Sequence, residues 1–144
     1  MKAGLALALV ALALVAGCGS PEPKGAAASG DDRRAAGLDL AIRAWRAEIV
    51  RTDAACQDAR PGKGCQGFEI ACKAERAIAP SEKARGVTMK VVAGMRWSAW
   101  DQRRGEQMPV ARFVLFTKTG EAWSRGERLN GNLATCQTYD ATPA

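Results

Sequence analysis

Histidine is missing from all 144 residues. Its absence removes the side chain whose ordinary pKa lies near neutrality, and with it Ser-His and Cys-His nucleophile pairs and most zinc ligand sets. No Cys-x-x-Cys pair occurs, so thioredoxin-type redox chemistry and paired thiolate metal sites lack their usual framework. There is no Gly-x-Ser-x-Gly elbow, no Ser-x-x-Lys and no phosphate-cradling Gly-rich loop. No metal and no cofactor is implied. Long apolar runs are equally scarce: after residues 3–16 none is long enough to cross a bilayer, which takes about 20 apolar residues in a helix. Acidic character is lacking too. The net charge is +6, and one unit less if Lys2 is removed, so the surface favours anionic partners.

The uncharged run that does exist follows Lys2 and has the short positive start and apolar middle of a secretory leader. It ends in Leu14, Val15, Ala16, Gly17 and Cys18, which resembles the lipobox of bacterial lipoproteins. The resemblance covers this segment only. It implies cleavage after residue 17 and acylation of Cys18, whose thiol can carry a thioether-linked diacylglycerol. Two or three acyl chains hold a protein stably where one gives marginal binding. Gly19 follows; the resemblance then implies the outer-membrane-directed class if the source is Gram-negative. The expected location is the cell envelope, where phospholipid, lipopolysaccharide and wall polymers are available and nucleic acid is not. Residues 1–17 therefore read as signal peptide, 18–36 as acylated cysteine and linker, and 37–144 as one domain. The linker is rich in Gly, Ala, Ser and Pro and has too little apolar surface to fold; its r.m.s. span is about 25 Å.

Export changes the meaning of the other cysteines. Cys56, Cys65, Cys72 and Cys136 are even in number and bound for an oxidising compartment, so two disulfides are expected. Three pairings are open; Cys56 with Cys65, across the turn-forming residues 60–64, and Cys72 with Cys136 is favoured.

Leu38, Ile42, Trp45 and Ile49 recur at helical spacing with charges between them, predicting an amphipathic helix over about residues 35–54, with Asp31 and Asp32 at its positive end. Residues 68–78 fit helix or strand, and their composition leans to helix. Pro80 and Gly86 bracket a turn. From Val87 the period becomes two: Val87, Met89, Val91, Ala93, Met95 and Trp97 share one side. Further strands are expected at residues 110–118, near 122–124 and at 133–139. The fold class is α+β: an amphipathic helix, with a second short helix as an option, packed on an antiparallel sheet of three to four strands and stapled by disulfides. Its overall layout is similar to that of small envelope lipoproteins, without a motif that marks an activity.

For function, basic and aromatic residues interleave late in the chain. Arg96, Trp100, Arg103, Arg104, Trp123 and Arg125 form a candidate surface for anionic glycan, lipid or an envelope protein, since aromatic rings stack on sugars and arginine forks pair with phosphate or carboxylate. Trp45 and Trp97 read as core residues. The leading expectation is a non-enzymatic, membrane-tethered binding protein. Alternatives are a wall-glycan or lipid hydrolase using Asp101 and Glu106, and a carrier holding a hydrophobic ligand between helix and sheet.

Overall fold

A computed structural model describes residues 30–58 and 60–139. The leader, Cys18 and most of the proposed linker lie outside the described residues. The element order is α1 (Gly30–Arg34), α2 (Leu38–Thr52), a single 3-10 turn (Ala54–Cys56), β1 (Cys65–Glu75), α3 (Pro80–Ala84), β2 (Val87–Asp101), β3 (Glu106–Thr119) and β4 (Ala122–Leu129). The strands form one antiparallel sheet in sequence order, β1-β2-β3-β4. Among the described residues no helix is long and apolar enough to cross a membrane.

Helix α2 forms where the apolar period demands it. Leu38, Ile42, Trp45 and Ile49 are all buried. They pack on Met89, Val91, Ala93, Met95, Trp97 and Ala99 of β2 and on Val114 and Phe116 of β3. Gly37 starts the helix in the left-handed conformation, with φ of 86° and no side-chain cap; Asp31 and Asp32 do not cap α2 and lie in α1. At the other end Asp53 takes an extended conformation and its carboxylate accepts from the Ala55 amide at 3.0 Å, so chain direction changes there.

The chain is ordered upstream of Gly37. Buried Lys118 donates to the Arg34 carbonyl at 3.0 Å and Trp123 Nε1 to the Ala36 carbonyl at 2.8 Å. Arg34 also pairs with Glu75 at 2.8 Å. Residues whose composition suggested the end of a linker are thus fastened to one end of the sheet.

One open reading is decided and one expectation is overturned. Residues 68–78, which fit helix or strand with a lean to helix, lie mostly in β1, an edge strand paired with β2. Cys65 joins Cys56 on the α2 side, and Cys72 joins Cys136 on the opposite side of the sheet. Pairing with the long strand β2 and these covalent links outweigh a helix propensity worth tenths of a kcal/mol per residue. Residues 133–139 are not a strand. Asn132 turns the chain by accepting from the Cys136 amide on its carbonyl and the Ala134 amide on its side chain, both at 2.8 Å, and Cys136 has φ of 54°. Only an isolated bridge, Gly131 with Thr138, remains. Residues 80–84 add one helical turn between Pro80 and Gly86, where a plain turn was expected.

The turn at Cys136 covers a second, smaller core. Val92, Phe113 and Cys136 are buried there, with Cys72, Ala74, Leu129 and Leu133 packed around them. The sheet is therefore covered on one face by α2 and on part of the other by the disulfide-pinned segment. Gly94 lies beneath the crossing: a Cβ there would stand 2.7 Å from Phe113 Cε1 and 2.9 Å from Cys72 Sγ. Gly94→Ala is expected to destabilise by about 1–3 kcal/mol, the usual cost of overpacking. Chemical denaturation reads this directly, and an unchanged midpoint would contradict the packing.

Candidate ligand surface

Six residues were marked from sequence as a single surface, and the fold divides them. Trp123 faces α2 and spends its indole N–H on the Ala36 carbonyl. Arg125 pairs with Glu48 of α2 at 2.6 Å, and the arginine holds the Glu48 carboxyl below its usual pKa. Both serve the fastening of helix to sheet. Arg96 lies on the opposite face, where it pairs with Glu69 across β1 and β2. Trp100, Arg103 and Arg104 gather at the end of the β2–β3 hairpin, the end remote from Arg34 and Ala36. Fourteen residue steps of β2 separate the two ends, about 45 Å at 3.3 Å per step.

The hairpin end is rigid for identifiable reasons. Asp101 and Glu106 are cross-strand partners, the last ladder pair before the turn. Asp101 Oδ1 accepts the amides of Arg103 at 2.8 Å and Arg104 at 3.1 Å, and Gly105 completes the reversal with φ of 70°. Those amides, Arg104 first, hold the Asp101 carboxyl below its ordinary pKa. Among the described residues, no ion pair joins Arg103 or Arg104 to a carboxylate. Their guanidinium groups are exposed on a fixed backbone, although the Arg104 Nη1 reaches Met108 Sδ at 4.0 Å.

Sequence reasoning missed Lys63. Its ammonium stands 4.3 Å from the centroid of the Trp100 ring. The Cys56–Cys65 disulfide closes the loop that carries it, and Gln107 Nε2 clasps the loop by donating to the Gly62 carbonyl at 2.9 Å and the Gly64 carbonyl at 3.2 Å. The loop carries a Gly-x-Gly-x-x-Gly spacing at Gly62, Gly64 and Gly67, all with positive φ, yet it is not a phosphate cradle. It leads into a strand, with no helix N-terminus to receive phosphate, and its Gly62 and Gly64 carbonyls accept from Gln107. Gly62 and Gly64 serve a tight turn, and Gly67 lies in β1 at the register shift between Gln66 and Glu69. Gly64 needs its lack of a side chain, because a Cβ would meet the Asp58 carbonyl oxygen at 2.8 Å.

Beside this end, the half of the sheet face left uncovered by the Cys136 segment forms a groove of about 310 Å3, whose lining includes Arg96, Ser98, Pro109, Ala111 and Leu133. Between α2 and β1 lies a notch of about 120 Å3, lined by Ile42, Arg43, Arg46, Phe68, Ile70 and Met95, with the Arg46 guanidinium 5.0 Å from the Phe68 ring. Among the described residues no cluster of metal-ligating side chains occurs.

No protein-family model, curated protein or solved structure matches this chain.

Proposed function

We propose that the chain is an envelope lipoprotein, acylated on Cys18, whose domain binds an anionic envelope ligand at the β2–β3 hairpin end without catalysing a reaction. The observation that carries this reading is a basic hairpin end: Lys63 stands over the Trp100 ring, and Arg103 and Arg104 occupy the adjoining turn, exposed and without a salt bridge among the described residues. Exposed arginine forks near an aromatic ring are suited to phosphate or carboxylate on an otherwise uncharged framework. The lipobox-like leader and two disulfides support placement outside the cytoplasm, in the envelope and on the outer membrane if the source is Gram-negative.

Hydrolysis by Asp101 and Glu106 is the weaker reading. Asp101 is unsuited to the acid's role, because its Oδ1 is spent on the Arg103 and Arg104 amides, which hold its carboxyl below the ordinary pKa. The carrier reading is weaker still, since a hydrophobic ligand needs a pocket of about 300 Å3 or more and the helix–sheet notch is 120 Å3.

Two measurements test the proposal. Expressed in bacteria, the full chain is expected in the membrane fraction, and Cys18→Ser is expected to leave it unprocessed and without fatty acid; acylation of the variant as before would refute the anchor. In detergent, Arg103→Ala with Arg104→Ala is expected to weaken binding to isolated wall sacculi at least tenfold, about 1.4 kcal/mol or more, and to flatten its salt dependence. Equal binding by both proteins would refute the site.

A further inference from the structure

We propose that the groove on the open face of the sheet, the face that also carries Trp100, is a subsite for an acidic oligosaccharide, with Arg96 and Glu69 reading sugar hydroxyls. This rests on the reading that the hairpin end binds an anionic envelope ligand, and it names the ligand's class and its path.

Strand alternation places Arg96, Ser98 and Trp100 on one side of β2, and their partners across the ladder are Ala111, Pro109 and Gln107. The floor is therefore low at Ser98, Pro109 and Ala111 and rises at both ends. One end is Leu133 of the segment pinned by the Cys72–Cys136 disulfide; in the other direction the same face of β2 runs past Ser98 to Trp100, which lies under Lys63. Arg96 and Trp100 are four residues apart, about 13 Å along the strand, which gives room for two sugar rings.

Each part matches a property of a saccharide. The Arg96–Glu69 pair is half exposed, at 58% and 50%, and presents donors and acceptors together. Sugar hydroxyls do both, whereas a lipid tail or a simple anion does neither or only one. Trp100 supplies the ring on which pyranose C–H faces stack. The cations beyond it, Lys63, Arg103 and Arg104, suit a carboxylate borne on the same glycan. Lipid headgroups of the tethering membrane fit less well, because the chain enters the fold near Arg34 and Ala36, at the far end of the sheet.

The test uses the full chain in detergent micelles and three probes: a peptide-free glycan of alternating N-acetylglucosamine and N-acetylmuramic acid, a neutral N-acetylglucosamine tetramer, and phosphatidylglycerol vesicles. Binding is read by isothermal calorimetry or tryptophan fluorescence. The acidic glycan is expected to bind about tenfold or more tightly than the neutral tetramer, in keeping with a charge-assisted contact. Pro109→Trp, which fills the groove from an exposed position, and Arg96→Ala, which removes only an exposed side chain, are each expected to weaken glycan binding at least tenfold. Far-UV circular dichroism verifies the folding of both, and Arg96→Ala decides if Pro109→Trp is misfolded. If Arg103→Ala with Arg104→Ala weakens the glycan while Pro109→Trp and Arg96→Ala do not, the groove assignment falls and the hairpin-end reading stands. If none of these variants alters glycan binding, both fall. Binding to vesicles alone overturns the saccharide proposal.

Discussion

Replacing Cys72 and Cys136 by alanine is expected to lower stability by about 4 kcal/mol, because their bond closes a loop across a sequence separation of 64 in the unfolded chain. For a domain of this size that corresponds to a fall in Tm of roughly 15–30 °C. The bond between Cys56 and Cys65, with a separation of 9, should be worth about 3 kcal/mol on the same chain-entropy argument. The larger loss has a structural counterpart. Cys136 is fully buried, and its carbonyl accepts from Arg76; without the bond, the segment that covers Val92 and Phe113 is held by that hydrogen bond and by Leu133. Thermal unfolding of the oxidised protein against the double variant measures the effect, and melts within a few degrees of each other would show that the segment is not pinned covalently.

Trp45→Ala is expected to cost about 3–5 kcal/mol, the range for truncating a large aromatic in a packed core. Trp45 is 4% exposed, faces β3 from the middle of α2 and meets Phe116 edge to face, with ring centroids 6.0 Å apart. An aromatic pair of this geometry adds about 0.5–1.5 kcal/mol beyond the area it buries. Because a domain's net stability is only about 5–15 kcal/mol, the variant should be close to unfolding at physiological temperature. Leu40→Ala, five residues earlier in α2 and 65% exposed, should change stability by less than about 0.5 kcal/mol. Urea titration of the two variants separates them, and similar midpoints would mean that α2 does not dock through its apolar stripe.

The legible part of the fold was local. Leu38, Ile42, Trp45 and Ile49 declare a helical face, and Met89 to Trp97 in alternate positions declare a strand face, because burial on one side leaves a period of about 3.6 or 2 in the residues themselves. The two disulfides were likewise accessible from the parity of the cysteines, the expectation of export and a short turn-forming stretch between Cys56 and Cys65. At the candidate site, Trp100, Arg103 and Arg104 could be found as basic and aromatic neighbours in sequence. Lys63 could not, since it comes from another part of the chain and reaches Trp100 only through a loop clasped by Gln107. Trp123 and Arg125 looked equivalent to them and are not: one indole N–H and one guanidinium are committed to Ala36 and Glu48.

By itself, the sequence determined the leader-like start, the even number of cysteines after residue 18, the net positive charge and the elements whose apolar period is strong. Only the tertiary structure decided that residues 68–75 extend as an edge strand, that residues 133–139 fold into a turn over a second small core, and which arginines are left unpaired. The physical reason is one of range. Side-chain periodicity is written within a few residues, whereas strand pairing, disulfide placement and ion-pair partners depend on groups brought together from distant positions, and these contacts outweigh the weak local propensities of the segments that they capture.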